Sequence, residues 1–231
     1  MGTKLVLPDG RVFRYALAGA TALAVGKLNQ MAAPVANHLN KACDVARAIG
    51  ATEISATLGA TAAAANLYAE GFVHVNDATA EGHTYKIKEH AAAALSTVLT
   101  VTLADGVTVQ VALVAATSEV TFTRNPYAGI IVCPTTLTAA VAGVNPVAVT
   151  AAYYFWLQTW GPAAVLANGT LVVGKMCANP ATTAGSVDTY PITLTEGAPN
   201  TYTPGDSPVV GEVMQVNAST EYALVFLKIA P

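Results

Sequence analysis

Ionisable side chains are scarce in this chain. Asp, Glu, Lys and Arg make up 11% of its 231 residues, against roughly 25% in ordinary soluble domains. From Asn125 to Gly174 there is not one Asp, Glu, Lys, Arg or His. The formal net charge of -3 comes without clustered Lys and Arg. That excludes the counterion-replacing patch nucleic-acid binding requires, so no nucleic-acid partner is expected. Cysteine is also rare: Cys43, Cys133 and Cys177 are odd in number and far apart, with no CxxC or Cys/His spacing of zinc type. They read as buried free thiols of a protein made in a reducing cytoplasm. The opening MGTKLVLPDG lacks a basic region followed by an apolar one, and Val6 removes the Ser or Thr of a myristoylation signal.

Catalytic signatures are missing as well. No GxSxG elbow, HExxH helix or GxGxxG turn occurs. Residues 169–175 fit GxxxxGK, but Met176 offers no hydroxyl to magnesium, Leu171-Val172-Val173 reads as strand, and Pro180 follows where a helix should run. His74, Asp77, Glu81 and His83 form the one polar cluster with metal-ligand chemistry, yet no strand or helix spacing makes them converge, so they read as a charged loop. Cys133 has no sequence neighbour that would lower its pKa. Asn168-Gly169-Thr170 and Asn217-Ala218-Ser219 read as turns rather than glycosylation sites. No cofactor, metal or catalytic residue is expected.

What the chain has is apolar residues, 53% of the total. A membrane span needs roughly 20 uninterrupted apolar residues, and Pro126, Pro134, Pro146 and Pro162 break up the uncharged block. No membrane partner is expected. Leu5 to Leu7 and Val12 to Tyr15 flank Pro8-Asp9-Gly10 as a hairpin. Val35, Leu39, Ala42, Ala46 and Ile49 recur at three and four between Pro34 and Gly50, which suggests one helix. Tyr85 and Ile87 alternate with Lys86 and Lys88, and Val107, Val109, Val111 and Leu113 alternate after Asp105-Gly106, as strands with one wet face. Ala223 to Leu227 is apolar on both sides. Asn168-Gly169 between apolar runs suggests a second hairpin. Val25-Gly26-Lys27, Val173-Gly174-Lys175 and Val210-Gly211-Glu212 echo one another, as do Gly-Ala-Thr at 19–21, 50–52 and 59–61, at irregular spacing that argues against a solenoid. Residues 179–208 read as long surface loops.

The expected fold is mainly β: an antiparallel β-sandwich or jelly-roll-like barrel with at most one or two short helices. It is divided into an arm or hairpin over 1–30, a lobe over 31–145 and a second lobe over 146–231. The aromatic cluster AAYYFWLQTW carries both tryptophans. As a strand it places bulky rings on both faces, which must be covered twice, once by its own core and once by another sheet or chain. Tyr153, Tyr154, Phe155, Trp156 and Trp160, with Tyr127, are the candidate interface residues.

The Ala/Thr/Gly-rich composition, the block NPYAGIIVCP through YYFWLQTWG, and the ending PVVGEVMQVNASTEYALVFLKI resemble structural proteins of tailed-bacteriophage heads, most nearly head decoration (cement) proteins. The resemblance implies a β-sandwich or barrel, often a homotrimer, on the capsid exterior, clamping neighbouring major capsid subunits and carrying no catalytic site. This chain is longer than many small decoration proteins, which leaves room for a second lobe. A tail-fibre or surface module that binds a receptor or glycan through exposed Trp156, Trp160 or Tyr154 is the alternative; an enzyme whose residues converge only in space is another.

Overall fold

In the computed structural model, which describes residues 1–180, 182–190, 192–195, 201–204 and 207–231, the chain is almost entirely strand. In chain order these are β1 (Lys4–Val6), β2 (Val12–Ala18), β3 (Leu28–Gln30), β4 (Lys41–Ala42), β5 (Glu53–Thr57), β6 (Phe72–Asp77), β7 (Thr84–His90), β8 (Val98–Leu103) and β9 (Glu119–Thr123). They continue as β10 (Ala128–Val132), β11 (Val141–Val144), β12 (Tyr154–Leu166), β13 (Met176–Ala178), β14 (Asp188–Thr189), β15 (Ile192–Thr195), β16 (Thr201–Pro204), β17 (Val209–Gln215) and β18 (Tyr222–Lys228). The mainly β expectation holds. Helix is confined, among the described residues, to one 3-10 turn, Ala36–His38, and none is long and apolar enough to cross a membrane.

The chain forms two compact units: residues 1–32 with 127–231, and residues 33–126. The division differs from the expected 1–30, 31–145 and 146–231, because the pairing that organises it is non-local. β3 and β10 pair antiparallel, Gln30 with Ile131 and Asn29 with Val132, so the second unit is an insertion into a hairpin of the first. The opening hairpin is as expected, with Val6 opposite Val12 and the Asp9 carboxylate accepting the Arg11 amide across the turn.

In the first unit, β2, β10, β3, β11 and β12 pair in succession, and β12 returns to β2, closing a five-stranded ring. A ring with an odd number of strands cannot be antiparallel throughout, and the parallel pairing is β2 with β10. Ala16, Ile130, Phe155 and Leu157 fill this ring. β12 runs on past Gly161 and Pro162 to pair with β18, and β18, β17, β13 and β14 extend the sheet over a second cluster that includes Val165, Cys177, Val210 and Val225. One long strand thus serves two cores. Where the two halves meet, the pairing register shifts between Gln158 and Trp160, and the buried Gln158 amide donates to the carbonyls of Trp160, Gly161 and Pro162 at 2.8–3.3 Å.

In the second unit, β4, β9, β6, β7, β8 and β5 pair antiparallel in that order, and a bridge from Cys43 to Ala56 closes the circle. Alternation drives this barrel: Val73, Val75, Tyr85, Ile87, Leu99, Val101, Val120 and Phe122 point inward, while Lys86 and Lys88 stay exposed.

A four-residue turn recurs in both units: Leu23–Gly26, Arg47–Gly50, Ala63–Asn66, Ala93–Ser96, Leu113–Ala116, Val149–Ala152 and Leu171–Gly174. In all seven the last residue has positive φ, between 56° and 88°, and the chain then runs into the next strand. The first residue is buried in six of them, Arg47 being the half-buried exception. Three pairs exchange reciprocal backbone hydrogen bonds: Leu23 with Val149, Arg47 with Leu113, and Ala63 with Ala93. Because β5 and β9 run one way round the second unit's barrel and β6 and β8 the other, the Arg47/Leu113 and Ala63/Ala93 pairs close its opposite ends.

These turns account for several misread segments. Pro34 to Gly50 is not a helix: after the 3-10 turn it holds β4, the Cys43 bridge and one recurrent turn, so the three-and-four spacing falls across separate short pieces, and Ala42, Ala46 and Ile49 are exposed rather than aligned on a buried face. Residues 107–113 are irregular rather than a strand; Val109 and Leu113 are buried but bond to the turn at Arg47 to Ala51. Residues 162–176 form no hairpin, since β13 pairs with β17 and β14 instead of β12. Within residues 179–208, β14, β15 and β16 are strands; the loop reading for 181, 191, 196–200 and 205–206 lies outside the described residues.

Candidate interaction face

The first half of β12 lies against β2 with Tyr154 opposite Leu17, Phe155 opposite Ala16 and Trp156 opposite Tyr15. Phe155 and Leu157 turn into the ring, at 6% and 0% exposure. Tyr154 and Trp156 turn outward, at 57% and 37%, and the preceding Tyr153 is 65% exposed. Tyr15 joins them from β2: its ring stacks on Tyr154 at 5.3 Å with planes 4° apart, and meets Trp156 at 5.3 Å and 58°. The result is an ordered row of rings on the outer face of a two-strand ribbon. Directly and diagonally opposed aromatic pairs of this kind stabilise a sheet and fix each other's rotamers.

The six candidate residues therefore separate. Tyr154 and Trp156 share the outer face and Tyr153, just before the strand, is exposed, whereas Phe155 is core. Trp160 lies beyond the irregularity between Gln158 and Trp160, which breaks simple alternation and buries both Gln158 and Thr159; its ring packs edge-on against Phe226 at 5.8 Å. Tyr127 is half-buried against the ring core beside Phe155 and Ile130. Tyr15 and Leu17 were not legible as part of the face. Their alternation with buried Ala16 and Ala18 was the available signal.

Other chemically capable groups are occupied structurally. In the second unit His38 Nε2 donates to the Thr61 carbonyl at 2.8 Å, while its Nδ1 accepts from the Tyr68 hydroxyl. His90 donates from Nδ1 to the Ala91 carbonyl at 2.7 Å and accepts at Nε2 from the Tyr68 amide at 3.0 Å. The His90 imidazole can make both bonds only when neutral, because the Tyr68 amide can only donate. Burial holds the His90 pKa below its usual value, and pushes the Tyr68 phenol up to about 12. All three thiols are free and buried. Burial raises Cys43 to about 11 and Cys133 and Cys177 to about 12, far from the range of a working nucleophile. His74, Asp77, Glu81 and His83 sit at the β6–β7 hairpin, and among the described residues no three His, Cys, Asp or Glu side chains are grouped to hold a metal ion. In the GxxxxGK match the Asp188 carboxylate lies against Gly169, where a phosphate would be repelled.

No family, no curated protein and no solved structure matches this chain.

Proposed function

We propose that this chain is a structural protein of a tailed-phage virion, which associates as a homotrimer and stabilises the capsid exterior by clamping neighbouring major capsid subunits. The observation that carries the proposal is the row Tyr15, Tyr154 and Trp156 with Tyr153, a pre-ordered aromatic surface left open on a barrel already filled by Phe155 and Leu157. Rings fixed before binding lose little rotamer entropy on docking, and burying each contributes about 1.5–3 kcal/mol. The block from Asn125 to Gly174, which includes Tyr153, Tyr154 and Trp156, carries no Asp, Glu, Lys, Arg or His. Broad contact is therefore made without stranding an unpaired ion. Repetition over a shell lattice multiplies modest single contacts through avidity.

The experiment is co-sedimentation of the purified protein with expanded empty heads, with the oligomeric mass measured by light scattering. The reading expects a trimer that binds heads and raises their melting temperature. Tyr154→Ala and Trp156→Ala should each weaken binding by roughly thirtyfold or more, as hot-spot rings do, without loss of fold, because neither side chain is core. A monomer that ignores heads would overturn the proposal. Binding that leaves Trp156 open to acrylamide quenching on the particle would transfer the face to receptor or glycan recognition.

A further inference from the structure

Beside the middle of β12 the first unit carries a cleft of about 330 Å3, walled by Val25, Gly26, Val144, Pro146, Pro162 and Tyr222 and reached by Arg11. A smaller hollow of about 190 Å3, lined by Asp9, Arg11 and Pro162, adjoins it through the two shared residues. The aromatic wall is fixed. Tyr222 donates its hydroxyl to the Val25 carbonyl at 3.2 Å, and its ring lies so close to Gly26 that a Cβ there would stand 2.5 Å from Cε1. The residue is nonetheless 40% exposed, so ring surface remains for a ligand.

The polar end is fixed too. Arg11 Nε meets Asp9 Oδ2 at 2.7 Å, its amide meets Oδ1 at 3.1 Å, and its guanidinium sits 5.7 Å from the centre of the Phe13 ring. The pair carries no net charge, so it favours neither an anion nor a cation at long range. Its remaining N–H groups and carboxylate lone pairs still offer donors and acceptors side by side. A ligand that satisfies both ends needs a flat C–H face and, beside it, uncharged hydroxyls able both to donate and to accept. Pockets of this size with an apolar wall and a few placed polar groups suit small ligands.

We propose that this cleft binds a neutral hexopyranoside, its C–H face on Tyr222 and its hydroxyls on Asp9 and Arg11. The site is separate from the aromatic face and does not rest on the docking proposal. The test is a titration of the intact, isotope-labelled protein with the methyl glycosides of glucose, galactose, mannose and N-acetylglucosamine, to tens of millimolar, followed by backbone amide NMR. At least one glycoside should give saturable shifts centred on Arg11, Gly26, Ala164 and Tyr222. Asp9→Ala, in an exposed turn, and Tyr222→Leu should each weaken that glycoside at least tenfold, with distant amides unmoved as a check on folding. No saturable shift from any of the four, or an unchanged affinity in Asp9→Ala, would overturn the proposal. So would a response to a triproline peptide alone, which would reassign the cleft to an apolar peptide segment.

Discussion

The recurrent turn allows backbone strain and steric contact to be measured separately at equivalent positions of one unit. Ala152 closes its turn at φ 60°, a conformation that costs an ordinary residue about 1–2 kcal/mol. Ala152→Gly removes that strain and loses about 0.4–1 kcal/mol to the looser unfolded chain, so it should stabilise by about 0.5–1 kcal/mol. Gly174 closes the same turn at φ 77° with nothing within 4 Å of an added Cβ. Gly174→Ala should therefore destabilise by about the same 0.5–1 kcal/mol. Gly26, at φ 65°, differs only in its neighbours: an added Cβ would meet Tyr222 at 2.5 and 2.8 Å and the Ala164 carbonyl at 3.1 Å. Overpacking of this kind adds about 1–3 kcal/mol, for a total of about 1.5–4 kcal/mol. Trp156 and Trp160, the only tryptophans, both lie in this unit. Urea unfolding followed by their fluorescence thus reports it selectively. Equal midpoints for Gly26→Ala and Gly174→Ala would refute the steric argument, and a lower midpoint for Ala152→Gly would refute the strain argument.

Two further outcomes concern titration and reactivity. His90 has its folded pKa below the ordinary 6.5, so on acidification the unfolded chain takes up the proton first. The second unit's stability should be fully present above about pH 6.5 and decline as pH falls below it, by at most about 1.4 kcal/mol per pH unit from this group. His90→Gln, measured by thermal unfolding across pH, should flatten that decline, and an identical slope would refute the assignment. The three thiols should resist iodoacetamide in the native protein at pH 8 and react only on unfolding, as burial and pKa values of about 11 and 12 require; rapid labelling of the folded chain, read by mass spectrometry, would contradict their placement.

Local signals were read well and distant ones poorly. Pro8-Asp9-Gly10 sits where its turn chemistry put it, and β7 shows the alternation of Tyr85 and Ile87 with two lysines because a half-wet strand encodes its own faces. The echo of Val25-Gly26 and Val173-Gly174 was genuine, both being recurrent turns, but Val210-Gly211 lies inside β17 with no positive φ. Gly19-Ala20-Thr21 and Gly59-Ala60-Thr61 each lead into such a turn, whereas Gly50-Ala51-Thr52 begins with the turn's own last residue. The repeat is not legible in the sequence because its closing residue is Gly, Asn, Ser or Ala in turn. What it conserves is a backbone angle and a buried first side chain, not a letter. At the candidate site the exposed and buried members of the aromatic cluster could not be separated from sequence, because the irregularity after Gln158 shifts the alternation and Tyr15 arrives from a strand about 140 residues away.

The insertion of residues 33–126 between β3 and β10 also sets an order of events during synthesis. The second unit closes all six of its strands on itself, so it can fold while most of the first unit has yet to leave the ribosome. β3 must wait for β10 across 100 intervening residues, Gln30 to Ile131. If those residues were still loose, the short β3–β10 pairing would bear the full entropy of closing that loop. Once they are folded, with departure and return points side by side, the effective loop shrinks to about ten residues and the closure becomes cheaper by about 2 kcal/mol. The insert then acts as a chaperone in cis for the barrel that encloses its own flanks, and its folding rate sets the earliest moment at which the aromatic face can be assembled.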